Sequence, residues 1–143
     1  MAAIGDSLPI ERIFDALASI DVAVAIYDRE DRVVAVSPYY RAMFPEEELS
    51  VGLTYRDALR RFAERHDRVR TLGYPDMDSY LDAEIKRHRT PYAHQVYKLS
   101  NGRWIEARKV PLPDGSVVGL WRDITVQREA EAAMLRSKEA SEL

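Results

Sequence analysis

The sequence predicts an α+β domain with one core. Three observations predict it: two short β-branched runs around a polar turn near the start, a middle portion with helical spacing of its apolar residues, and a switch to alternation after Pro91. At 143 residues, 46% apolar and 31% charged, the chain has the make-up of one ordinary globular unit. A unit of this size buries roughly 68–70% of its unfolded surface, so it stands without disulfides or metals.

The elements follow in order. A first helix is predicted from about Pro9 to Ile20, with Asp6 or Ser7 as its cap and Pro9 in its first turn. Ile10, Ile13, Phe14 and Leu17 recur at helical spacing, so one apolar stripe needs a partner surface. Val22 to Tyr27 and Arg32 to Val36 flank the polar Asp28-Arg29-Glu30-Asp31 and read as a hairpin. A short helix from Tyr39 to Phe44 is stopped by Pro45. Thr54 then caps a helix from Tyr55 to about His66, whose Tyr55, Leu59 and Phe62 share a face. Another helix runs from about Asp76 to His88, with Met77, Tyr80, Leu81 and Ile85 on one side. Three strands follow: Tyr92 to Leu99, Arg103 to Leu112 and Ser116 to Ile124. The turns Ser100-Asn101-Gly102 and Pro113-Asp114-Gly115 carry the Asn-Gly and Asp-Gly pairs that hairpins favour. From Thr125 to Leu143 nothing breaks a helix, and Ala, Glu, Arg and Lys dominate.

Composition excludes several function classes. With no cysteine there is no thiolate catalysis, no cysteine–zinc site and no cysteinyl-flavin photochemistry. A net charge of -3 gives no reason to expect nucleic acid or an anionic membrane as partner. No apolar run approaches ~20 residues and the start lacks a secretory pattern, so a cytoplasmic chain without a membrane segment is expected.

The two-strand, helices, three-strand order closed by Asp123-Ile124-Thr125 resembles the PAS family. The resemblance covers about Ile20 to Thr125 and rests on Ser100-Asn101-Gly102-Arg103-Trp104, Pro113-Asp114-Gly115 and the Asp-Ile-Thr triplet in their mutual spacing. Ala23-Val24-Ala25-Ile26-Tyr27-Asp28 also looks like a PAS first strand. One departure is Ser37, where many PAS domains place Asn; the helix-anchoring amide is lost, and a hydroxyl replaces part of it at most. The resemblance implies a five-stranded antiparallel sheet in the order 2-1-5-4-3 with helices on one face and flanking N- and C-terminal helices. It divides the chain into a flanking helix (1–20), a PAS domain (21–125) and a helical signalling linker (126–143).

A ligand cavity between helices and sheet is also implied. Met43, Tyr55, Leu59, Phe62, Met77, Tyr80, Gln95, Tyr97, Ile105, Ala107 and Trp121 are its candidate lining, or else they simply fill the core. Ile105 and Ala107 share one strand face, as do Val117, Gly119 and Trp121, whereas Val118 and Leu120 lie on the other. The cofactor is unknown. Haem is not expected, because Met77 stands where haem-binding relatives place an axial His, and His66, His88 and His94 read as surface or capping residues. Asp76, Asp78 and Asp82 lack a His or Cys companion, so no metal site is expected. No catalytic constellation appears. The enzymatic rival is a cone-shaped enzyme of ketosteroid-isomerase type, using His94 or Glu106 inside a cavity.

The end of the chain carries the output reading. Thr125 is expected to cap the last helix, and Asp123 to pair with Lys109 or Arg108 on the neighbouring strand. Val126, Ala130, Ala133, Ser137 and Ala140 follow heptad spacing but make a weak seam. The expectation is a sensory, non-enzymatic module that relays a signal through Asp123, Ile124 and Thr125 into the linker. Its effector is absent from this chain and is of histidine kinase type, as Ser137 to Glu142 suggests; a ligand-free pairing module of a diguanylate cyclase is the alternative. A homodimer is expected through the first helix and the outer sheet face with Val118 and Leu120.

Overall fold

The computed structural model describes residues 9–142. Asp6 and Ser7, the expected caps of the first helix, lie outside the described residues. The element order is α1 (Ile10–Ala18), β1 (Ala23–Tyr27), β2 (Val33–Val36), α2 (Pro38–Met43), α3 (Tyr55–Arg65), α4 (Arg68–Thr71), α5 (Met77–His88), β3 (Ala93–Lys98), β4 (Trp104–Pro111), β5 (Val117–Asp123) and α6 (Thr125–Ser141). The five strands form one antiparallel sheet in the order β2-β1-β5-β4-β3, as expected.

Boundaries moved for identifiable reasons. Pro9 precedes α1 in extended backbone instead of entering its first turn, and the helix ends at Ala18 because Asp21 turns the chain at a positive φ of 62°. α4 was not anticipated. It is a single short turn entered through Asp67 in the left-handed region at φ 50°, and four residues are too few for apolar periodicity to register. Thr54 and Asp76 cap α3 and α5 as expected, accepting from Asp57 N–H and Ser79 N–H.

Ser37 settles the question raised by its departure from asparagine. It is fully buried, and its hydroxyl oxygen accepts from Val24 N–H at 3.0 Å and Tyr40 N–H at 3.1 Å. One small side chain therefore ties β1 to the start of α2, both as cap and as cross-link.

Strand parity sorts the sheet into two faces. Tyr27, Ile105, Ala107 and Trp121 face the helices, among a core that includes Tyr40, Met43, Phe44, Leu59, Tyr80 and Leu81. On the outer face Val24 pairs with Leu120 and Ile26 with Val118. α1 covers part of that face through buried Phe14 and half-buried Leu17, whereas Ile10 and Ile13 remain 40% and 44% exposed. The predicted apolar stripe is thus only half used by its own sheet.

Two fastenings hold the layers. Arg89, just past α5, donates to the carbonyls of Arg29 and Gly115 and pairs with Asp31, so one guanidinium ties the β1–β2 turn to the β4–β5 turn. On β5 the Trp121 ring lies across Gly119, and a Cβ added there would sit 2.4 Å from the indole. Gly119→Ala is expected to cost about 1–3 kcal/mol by overpacking. Urea unfolding measures the loss, and emission of Trp121 in a Trp104→Phe background reports whether the indole is displaced.

Candidate functional site

Between the helices and the sheet lies a cavity of about 240 Å³. Tyr27, Ala107, Lys109 and Trp121 form its floor from β1, β4 and β5, with Gln95 and Tyr97 from β3. Tyr40, Phe44, Leu49 and Leu53 close one side; Tyr55, Ala58, Leu59 and Phe62 from α3, with Tyr80 and Glu84 from α5, form the roof. Exposed Glu48, Arg61 and Arg65 also line it, which places its mouth on their side. Binding pockets for drug-sized ligands run to ~300–1,000 Å³, so this one suits a smaller molecule.

Its central feature is a lysine among rings. By alternation Lys109 shares the cavity face with Ile105 and Ala107, and its ammonium lies 4.4 Å from the Tyr55 ring centroid, 5.1 Å from Trp121 and 5.6 Å from Tyr27. It donates to His88 Nδ1 at 3.0 Å. Burial drives the Lys109 pKa down to about 7, against the raising pull of Glu84 and Asp31. His88 is itself buried, stacked on Tyr55 at 3.8 Å, and burial with Lys109 and Arg89 nearby lowers its pKa to about 2. The imidazole stays neutral and accepts. Burial pushes the phenols of Tyr27, Tyr40, Tyr55 and Tyr97 upward, so the rings act as neutral hydroxyls. Arg68 covers the Tyr97 ring at 5.2 Å, a second cation at the wall. With the Gln95 amide turned so that its oxygen meets a donor, it accepts from Arg87 Nε at 3.0 Å.

At the far end of β5 the chain passes into α6 through a compact polar knot. Arg103 Nε donates to Asp123 Oδ2 at 3.0 Å. The other oxygen, Oδ1, accepts from Thr125 N–H at 2.9 Å and from the Thr125 hydroxyl at 2.6 Å. That hydroxyl accepts in turn from Trp104 N–H at 2.9 Å, and Ile124 N–H donates to the Trp104 carbonyl. Burial alone would raise the Asp123 pKa, but the bonds from Thr125 and Arg103 hold it below the usual carboxylate value. Arg103 also lies over the Phe44 ring at 5.5 Å, and Phe44 lines the cavity.

The sequence matches the PAS fold family over residues 17–132. The chain belongs to the PAS fold family. Its structure is similar to the PAS domain of BvgS from Bordetella pertussis, with 16% identity and a TM-score of 0.53 over 92% of this chain and 97% of that one. It is also similar to a chain from a structure describing adaptor-dependent degradation of a cell-cycle regulator, with 20% identity and a TM-score of 0.51 over 82% and 96% of the two chains. No curated protein matches the sequence.

Within this PAS domain the expected lining residues separate. Tyr55, Leu59, Phe62, Tyr80, Gln95, Tyr97, Ala107 and Trp121 stand on the cavity wall, whereas Met43 and Ile105 are buried behind it and Met77 packs at the core's edge. Ile105 is off the wall because it pairs with Asp123 at the junction end of β5. At the junction the expected partners of Asp123 are corrected. Lys109 lies in the cavity, Arg108 points to the outer, exposed face, and Arg103 is the cation that Asp123 meets. Thr125 is the first residue of α6 and its hydroxyl is spent on Asp123 and Trp104, so it is no cap; Ile124 precedes the helix without a side-chain cap. His66 and His88, expected as surface or capping residues, are the C-cap residue of α3 and the last residue of α5, and both are buried. His94 and Glu106 lie on the outer face, 3.2 Å apart, with Arg122 beside Glu106, and neither enters the cavity.

The two depressed pKa values make opposite halves of a pH profile. Because unfolded lysine keeps its proton to ~10.4, Lys109 adds stability as pH rises through about 7 toward that value. The neutral His88 gives stability that is full above ~6.5 and is lost as pH falls below it. Urea midpoints are expected to rise between pH 7 and 9, and Lys109→Met to abolish that rise.

Proposed function

We propose that this PAS domain is the sensory module of a signal transduction protein: it takes a small ligand in the cavity and passes the change through Arg103, Asp123 and Thr125 to α6. The observation that carries the reading is the double duty of Arg103, which packs on the cavity-wall residue Phe44 and holds the junction carboxylate. A ligand that shifts Phe44 shifts the cation on which Asp123 depends. The wall favours a small flat molecule with an acidic group, since aromatic rings surround an ammonium. α6 is suited to be the output element, because its residues from Val126 onward are exposed and its contact with the body is at its start, where Arg128 covers the Trp104 ring. Its effector is of histidine kinase type, and the chain itself performs no catalysis. The module works in the cytoplasm; no described helix is long and apolar enough to cross a membrane.

Pairing is part of the same reading. Ile10, Ile13, Val34 and Val110 leave apolar surface exposed beside α1 and on the sheet, and Met134 and Leu135 do so on α6. A homodimer covers them. The ligand-free alternative, a pairing module of a diguanylate cyclase, has less support, because Trp121 lies on its own strand at Gly119 and leaves the cavity open.

Native beside denaturing mass spectrometry, on protein purified from its own host, tests both parts. The reading expects a dimer that carries an extra small mass under native conditions only. A monomer, or a dimer that takes up none of a panel of small aromatic acids, overturns the sensor reading. Asp123→Asn is expected to leave ligand uptake intact while raising amide exchange at the start of α6 by about tenfold, roughly the loss of one cap-like bond.

A further inference from the structure

At the edge of the cavity, three side chains converge where the α2–α3 loop meets the end of α3. Glu46, Glu47 and His66 each bring a donor atom to within 4.8 Å of the others. His66 is 3% exposed in its side chain, and its Nε2 is aimed at Glu47 Oε1 across 3.8 Å. That nitrogen and Glu46 Oε1 are buried and make no hydrogen bond among the described residues. Buried polar atoms without partners are uncommon in folded proteins, and two of them facing one carboxylate call for an occupant that can satisfy all three.

We propose that Glu46, Glu47 and His66 form a divalent-cation site of the zinc or manganese class. One imidazole and two carboxylates are donors that such ions accept, and two carboxylates balance the charge of a 2+ ion. The other imidazole nitrogen faces Ser100: Nδ1 lies 2.6 Å from Ser100 Oγ and accepts from Ser100 N–H at 3.3 Å, so an ion on Nε2 requires the proton to sit on Nδ1, which then donates to Ser100 Oγ and gives up the backbone bond. Donors around a tetrahedral zinc stand about 3.3 Å apart, so side-chain rotation of about an ångström closes the set. Arg65 occupies part of this place, 2.8 Å from Glu47 Oε1. Its side chain is 38% exposed, so an ion would displace it toward solvent, and it leaves Glu46 and His66 unserved.

The site's position gives it a consequence. Glu47 also lines the cavity, and Ser100 opens the turn that leads to Arg103. An ion here would fasten the cavity mouth to the turn that carries the junction's cation, a second input beside the cavity ligand.

Untagged protein stripped with chelator and titrated with zinc or manganese chloride tests the proposal, read by calorimetry and by native mass. One ion per chain is expected, with a rise in Tm at saturating metal. Glu46→Gln and His66→Gln should each weaken binding at least tenfold, and His94→Ala should not. Absence of saturable uptake of either ion overturns the site. So does uptake that Glu46→Gln leaves unchanged, a comparison that stands even if His66→Gln fails to fold. Loss of uptake in His94→Ala alone would place the ion on the outer sheet face and overturn it equally.

Discussion

The Trp121 indole lies over Gly119, two residues back on the same face of the central strand. That contact pins β5, and β5 pins most of what matters. Val117, Gly119, Trp121 and Asp123 alternate onto one face, so the strand that supplies a cavity wall also delivers the junction carboxylate. A slip of one residue would send Trp121 and Asp123 to the outer face together. Any side chain at position 119 would press the indole into the cavity. The small residue and the large one are therefore a single packing device, and the open volume above them depends on it.

Inside that frame the cavity is an expensive place for charge. Lys109 stands among three rings and Glu84 is buried on the same lining, and taking such groups from water is costly. The fold offsets this cost with fastenings at its edges: Ser37 cross-links β1 and α2, and Arg89 spans two turns. In the proposed sensor, the same buried polar groups that cost folding energy would give a ligand its orientation.

Much of this was legible in the sequence, and the misses have physical causes. The strand order and the choice of which face meets the helices came from resemblance, while alternation grouped Ile105 with Ala107, and Val118 with Leu120 opposite Trp121, as the structure has them. The same rule, followed further, would have placed Lys109 beside Ala107 in the cavity and chosen Arg103 for Asp123, since both lie on the odd-numbered face of β4 and its lead-in. Reading Lys109 as an ion partner relied on charge alone and ignored distance: Ile105, four residues earlier, is what faces Asp123. His88 also left a trace, for Tyr80, Glu84 and His88 repeat every fourth residue on the buried side of α5. What no local pattern shows is the meeting of Glu46, Glu47 and His66, or of Arg89 with two turns. Those are products of tertiary closure, and spacing in the chain carries no record of them.

The junction sets how α6 begins. α6 starts without a side-chain cap, because the hydroxyl that stood ready to cap it is committed to Asp123 and Trp104. Forming the first turn of a helix is its costly step. Its beginning is therefore fixed from outside, by a carboxylate that is itself fixed by Arg103. The guanidinium rests on Phe44 at one side and on Asp123 at the other, so its position registers both the cavity wall and the strand end. A shift too small to disturb the sheet still changes which backbone groups α6 can lean on. In the proposed relay, the stability of the helix start, and not its direction alone, is the quantity that a cavity ligand would control.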